Sequence, residues 1–178
     1  ETKINEKSVR RSYSICCNEN GGLQVGIKEV PGGVFSTYAN RSLKESDRLM
    51  VAPPEGRFTF TSSQKPQTLA GFAAGSGITP IMSILKTALL NHPENRFHLI
   101  YGNKTPEETM FYEELNTLEA EFGDRLTIQW VFSRANVEGS FFGRIEKSVV
   151  KNAMKSMGEP AEKLYLCGPE SMMHLVSD

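Results

Sequence analysis

The hydrophobic pattern of this chain changes its period partway along. Up to Phe60, short alternating stretches read as antiparallel strands: Ser12–Cys17 and Leu23–Val30, joined by the turn signal Asn20-Gly21-Gly22, with a further candidate at Arg48–Ala52. Pro53-Pro54-Glu55-Gly56 breaks the chain before Arg57–Phe60, and Val34–Ala39, after Gly32-Gly33, suits a short helix or a loop. The polar run Ser62-Ser63-Gln64-Lys65-Pro66-Gln67 reads as a linker. Beyond it, strand and helix alternate four times. Thr68–Ala73 is a buried-type strand. Ile81, Ile84, Leu85, Ala88 and Leu89 then share one helical face, and Pro80 suits the first turn of that helix. Phe97–Tyr101 is a strand, and Pro106–Phe122 a helix striped by Phe111, Leu115, Leu118 and Phe122. Leu126–Phe132 (strand), Ile145–Met157 (helix), Lys163–Cys167 (strand) and Glu170–Val176 (helix) complete the series. Such alternation predicts a parallel sheet covered on both faces. The expected division is residues 1–65 and 66–178.

In open α/β sheets, ligands lie beyond the carboxyl ends of the strands. Here those ends carry Gly75-Ser76-Gly77, Gly102-Asn103-Lys104, Ser133-Arg134 and Gly168-Pro169-Glu170. Glycines for close backbone approach, cations and hydroxyls together suit a phosphate-bearing ligand. The loop Gly75–Pro80 can offer free N–H groups at a helix start to a pyrophosphate. It lacks the third glycine of the usual dinucleotide fingerprint, and a plain tight turn accounts for it equally well. Arg134 can fork onto a phosphate, and none of these strand ends supplies an acidic partner for ribose hydroxyls; a solvated surface arginine is the plainer alternative. Cys167 is compatible with a thiol beside a planar ring and with a buried structural cysteine. In a strand, Arg11 and Tyr13 share one face and Ser14 the other, a cation and an aromatic plate that suit a flavin nucleotide. An exposed polar strand would look the same. Gly33-Val34-Phe35-Ser36 can present N–H groups and a hydroxyl to a phosphate, as many turns can.

Composition narrows the field. Twenty Lys and Arg against 21 Asp and Glu leave a net charge of −1, so no basic surplus calls for nucleic acid or an anionic membrane. The longest apolar run, near Leu69–Ala74, is too short to span a bilayer. Three cysteines (Cys16, Cys17, Cys167) without a Cys-x-x-Cys motif, and three scattered histidines (His92, His98, His174), argue against a metal site within the chain and fit a reducing, cytoplasmic setting. The opening stretch is polar and has no Met, so Glu1 is not read as a native N-terminus.

Taken in order, Arg-x-Tyr-Ser (11–14), Pro-x-Gly-x-Phe (31–35), Gly-x-x-Ser (33–36), Gly-x-Gly-Ile-x-Pro (75–80), Ser-Arg (133–134) and Cys-Gly-Pro-x-x-Met (167–172) resemble the ferredoxin–NADP reductase superfamily over essentially the whole chain. Arg10–Cys16, Pro31–Ser36 and Ser133-Arg134…Gly143-Arg144-Ile145 are most similar to the reductase component of phenylacetyl-CoA epoxidase and related bacterial oxygenases.

The resemblance implies a partial antiparallel FAD-binding barrel followed by a Rossmann-like, parallel-sheet NADP-binding domain. It also implies hydride transfer from NADPH to FAD and single electrons onward to a ferredoxin, iron–sulfur or oxygenase acceptor. It places Arg11 at the flavin phosphates, Tyr13 on the isoalloxazine and Ser14 near its N5. Gly33, Val34 and Ser36 fall at the flavin pyrophosphate, with Lys28 and Val30 on the strand passing the FAD. Gly75, Ser76, Gly77, Ile78, Thr79 and Pro80 fall at the nicotinamide dinucleotide. Ser133, Arg134 and, as a second cation, Arg144 fall at its 2′-phosphate, which favours NADP with NAD possible. Cys167, followed by Gly168 and Pro169, falls beside nicotinamide C4. The family's first barrel strands and final helix lie outside the chain, and a [2Fe–2S] centre is expected only if a further domain exists. A non-catalytic flavin- or nucleotide-binding regulatory module is the alternative function.

Overall fold

The computed structural model describes residues 2–19 and 22–177. The N-terminal part opens with a hairpin of β1 (Thr2–Ile4) and β2 (Lys7–Val9), and a second antiparallel pair follows, β3 (Ile15–Glu19) with β4 (Gly22–Val25). Asn20 and Gly21 of the expected turn lie outside the described residues. α1 (Val34–Arg41) is a helix, and the chain from Ser42 to Gln67 runs without strands, including Arg48–Ala52 and Arg57–Phe60. Met50 and Val51, inside the first of these stretches, are exposed.

The second half is a five-stranded parallel sheet. Its strands are β5 (Thr68–Ala74), β6 (Arg96–Asn103), β7 (Leu126–Phe132), β8 (Phe141–Phe142) and β9 (Lys163–Cys167), in the order β8-β7-β6-β5-β9. The helices are α2 (Ile78–Leu90), α3 (Tyr112–Phe122), α4 (Lys147–Ser156) and α5 (Glu170–Ser177). The fold is thus antiparallel strands followed by a covered parallel sheet.

Two cores form on the two sides of the sheet. Leu69, Phe97, Leu99, Tyr101, Trp130 and Tyr165 face α2 and α3, while Ala70, Phe72, Ile100 and Val131 face α4 and α5. The period-2 alternation of strand side chains explains this split within each strand. Helix α2 is buried on more than one side: Met82 and Lys86 are covered as well as the expected face. The cause is the N-terminal part, whose Cys16 joins the same core. Buried Lys86 meets the Glu114 carboxylate at 2.6 Å, which offsets the cost of removing an ammonium from water.

At Gly26 the N-terminal part meets the second half with bare main chain. A β-carbon on Gly26 would lie 2.8 Å from Met110 Cε and 2.9 Å from Thr79 Cγ2. The expected strand Leu23–Val30 therefore ends at Val25. Past it, the Ile27 carbonyl accepts from Asn40 Nδ2 at 3.2 Å instead of from a neighbouring strand.

At another close approach, a β-carbon on Gly77 would overlap the carbonyl of Cys167. Gly77→Ala should therefore push β9 from the start of α2 and lower stability by about 1–3 kcal/mol, as overpacked sites do. Thermal unfolding measures this, and Gly75→Ala, which meets open space but carries φ +56°, is the control for backbone strain alone.

Candidate functional site

The strand order reverses direction between β5 and β9, where ligand crevices open in sheets of this kind. The loop after β5 is a short 3₁₀ turn, Gly75–Gly77, running directly into α2. No acidic residue stands in the first turn of α2, so the positive end of the helix is not neutralised. The Thr79 hydroxyl donates to the Ser76 carbonyl at 3.1 Å, and Tyr101 donates its hydroxyl to the Gly75 carbonyl at 2.9 Å, bracing the turn from below. Burial pushes the Tyr101 phenol well above its ordinary value, so it remains a donor. Sequence reasoning passed over this tyrosine, which looked like an ordinary strand residue.

Cys167 ends β9 on the sheet face that carries Tyr165 and Tyr101. Its thiol is partly buried, and desolvation raises its pKa above the ordinary value, so it is neutral at neutral pH. A β-carbon on Gly168 would lie 2.8 Å from Met172 Cε and 3.1 Å from Ala74 Cβ, which keeps the loop after β9 against the end of β5. Phe58 packs edge-on to Tyr165 at 5.7 Å, so the N-terminal part reaches the same face two residues before Cys167.

Ser133 and Arg134 follow β7, and Arg144 follows β8, at the same rim. The Ser133 N–H donates to the Asn103 carbonyl at 3.0 Å and the Arg134 N–H to the Lys104 carbonyl at 2.9 Å, extending the β6–β7 ladder past the strands. Both arginine side chains belong to exposed residues.

The N-terminal candidates lie around α1. The Tyr13 ring packs on Phe35 with centroids 5.6 Å apart. Arg11 is exposed and its guanidinium donates to the neighbouring Arg10 carbonyl at 2.7 Å, while Ser14 is exposed. Arg11–Ser14 precede β3, so they lie before that strand and not within it. The first turn of α1 has neither a side-chain cap nor an acidic residue, which leaves the helix-start N–H groups from Val34 onward for an anion, while the Gly33 N–H donates to the Val30 carbonyl at 2.8 Å. Ser36 also closes its own loop. It is buried, accepts from the Val30 N–H at 3.2 Å and donates to the Gly33 carbonyl at 3.3 Å, closing the loop. Val30 is exposed, and Lys28 reaches across to the Glu108 carbonyl at 2.9 Å.

Among the described residues, no group of three or more His, Cys, Asp or Glu is placed to hold a metal ion, and no helix is long and apolar enough to cross a membrane.

An antiparallel flavin-type front and a nucleotide-type parallel sheet meeting at a switch point define a two-domain dinucleotide- and flavin-binding architecture. The oxidoreductase NAD-binding domain family matches residues 72–178, and the oxidoreductase FAD-binding domain family matches residues 1–60. The chain belongs to the ferredoxin–NADP reductase superfamily. It is 34% identical over 172 residues to a component of the 1,2-phenylacetyl-CoA epoxidase of Escherichia coli (strain K12), covering 94% of this chain and 48% of that protein. To NADH-cytochrome b5 reductase 1 of Debaryomyces hansenii it is 32% identical, covering 96% of this chain and 60% of that one. Among solved structures, the cytochrome b5 reductase domain of Ulva prolifera nitrate reductase matches with TM-score 0.80 at 24% identity, over 98% of this chain and 74% of that one. The Amycolatopsis cytochrome P450 reductase GcoB matches with TM-score 0.79 at 20% identity, over 98% of this chain and 53% of that one. The chain spans about half the length of the curated relatives at the head of these matches.

If Cys167 sits beside the reacting ring, Cys167→Ala should slow flavin reduction about tenfold or more while FAD content is unchanged. Because the thiol gains charge only as pH rises past its raised value, the wild-type rate should show no thiol-dependent step at neutral pH. Rapid-mixing kinetics at several pH values, with FAD quantified separately, check both.

Proposed function

We propose that this chain forms the flavin and nicotinamide halves of a reductase, divided near residues 65 and 66, that takes reducing equivalents from NADPH into FAD and passes them to a redox protein. One observation carries the reading. Cys167, at the switch point, lies on the sheet face against which the N-terminal part is packed, so the flavin side and the nicotinamide side share one seam.

The residues fit the two cofactors. The start of α1 at Val34, just after Gly33, suits the flavin pyrophosphate, with exposed Arg11 as a cation and Tyr13, backed by Phe35, as the plate for the ring. Ser36 and Val30 act by holding that loop closed. Ser14 is the donor near flavin N5. Gly75 to Pro80 suit the second pyrophosphate: glycine removes the side chain that would block approach, and α2 supplies N–H groups. Gly168 and Pro169 hold the loop that follows Cys167. When bound, these cofactors supply the hydride transfer and the later single-electron steps. The chain's own residues orient the two rings, keep a neutral thiol beside them and donate one hydrogen bond, and no side chain need act as a strong base.

Nucleotide choice rests on Ser133, Arg134 and Arg144 at the rim, which favour a 2′-phosphate. It does not rest on likeness, since relatives at similar identity bear NADH in their names. A ferredoxin or an oxygenase component is the proposed acceptor, supported by the similarity to part of an epoxidase. A [2Fe–2S] centre belongs to this system only if a domain outside the chain supplies it. A cytoplasmic setting fits the free thiols of Cys16 and Cys167.

The test is anaerobic mixing of FAD-loaded protein with NADPH. Flavin bleaching is the expected result, and its absence with both NADPH and NADH would leave a non-catalytic binding module. Arg134→Ala should weaken NADPH binding by about 1–3 kcal/mol and NADH binding far less. Equal losses for the two nucleotides would refute the preference.

A further inference from the structure

The rim between β6 and β7 holds more charge than Ser133 and Arg134 alone. Lys104 follows β6, and its carbonyl accepts from the Arg134 N–H, so the main chains of these two cationic residues are paired. Glu108, on the loop leading to α3, takes the Lys104 ammonium on its carboxylate at 2.9 Å. Lys28 arrives from the N-terminal half and donates to the Glu108 carbonyl, also at 2.9 Å. The hydrogen bond from Lys104 holds the Glu108 carboxyl below its ordinary pKa, and the charges of Lys104, Lys28 and Arg134 add to this. One carboxylate thus sits among three cations. Its pair with Lys104 is half exposed (50% and 42% of the two side chains), so solvent screening leaves it weak and easily exchanged.

We propose that Glu108 is a specificity-determining residue: a built-in anion that occupies Lys104 and must be given up when a 2′-phosphate enters beside Arg134. The inference rests on the reading that this rim receives the 2′-phosphate. Glu108 acts against the phosphorylated nucleotide twice, by repelling the dianion and by holding Lys104. A nucleotide with a 2′-hydroxyl demands neither change and leaves the pair intact. Glu108 therefore narrows the gap between NADPH and NADH and hastens release of NADP, while Lys104 widens the gap.

The test is a calorimetric titration of the FAD-loaded protein at low ionic strength with 2′-phospho-AMP and with 5′-AMP, which needs no turnover. Glu108→Gln should tighten 2′-phospho-AMP about three- to tenfold and leave 5′-AMP unchanged, with the gain shrinking in high salt. Lys104→Gln should weaken 2′-phospho-AMP and reduce the gain from Glu108→Gln when the two are combined. If Glu108→Gln leaves 2′-phospho-AMP binding unchanged or weaker, or tightens both ligands alike, while Arg134→Ala still weakens 2′-phospho-AMP, the competitor role is wrong and the 2′-phosphate reading survives. If Arg134→Ala alters neither ligand, the 2′-phosphate reading fails and this inference with it.

Discussion

The approach of Gly77 to the main chain of Cys167 governs the rest of the molecule. A parallel sheet whose order reverses between β5 and β9 must bring the loop from one strand beside the end of the other, and here only a residue without a side chain fits between them. That contact brings the start of α2 against the end of β9, beside Cys167, and leaves open space beside Gly75. Gly168 repeats the device on the opposite strand, packed on Ala74 and Met172. Packing at this density tolerates little added volume, so the site's geometry and the sheet's stability are set by the same atoms.

The parallel sheet could be read from sequence because its strands are buried on both faces and separated by amphipathic segments. Leu126–Phe132 and Lys163–Cys167 were placed to the residue. Other boundaries moved for local reasons. The helix expected from Pro106 begins at Tyr112, because the preceding loop is drawn over Gly26 and Phe111 takes a left-handed backbone conformation at φ 60°. The two-residue strand β8 gives no periodic signal, and neither does the hairpin of Thr2–Ile4 with Lys7–Val9, where polar residues are in the majority.

The site was less legible than the sheet, and for a physical reason. Motif spacing names residue types at strand ends but not the partner each side chain takes. Ser36 latches its own loop through Val30 and Gly33, a pairing its motif does not announce. Lys28 looked like a strand residue and instead bridges to the loop before α3, 80 residues away in sequence. Tyr101 carried no motif, yet its hydroxyl supports the turn at Gly75. Long-range hydrogen bonds of this kind are invisible to any local pattern.

The seam at Gly26 has a consequence of its own. Where two halves meet through exposed side chains, substitutions can retune the angle between them a little at a time. Here Gly26, just past β4, docks by bare backbone on Thr79, Met110 and Phe111, so the clearance at this point is a fixed spacer. The spacing of the two halves at this point is thereby set by peptide geometry. Such a molecule can vary its surface without detuning the spacing of its two halves at this seam.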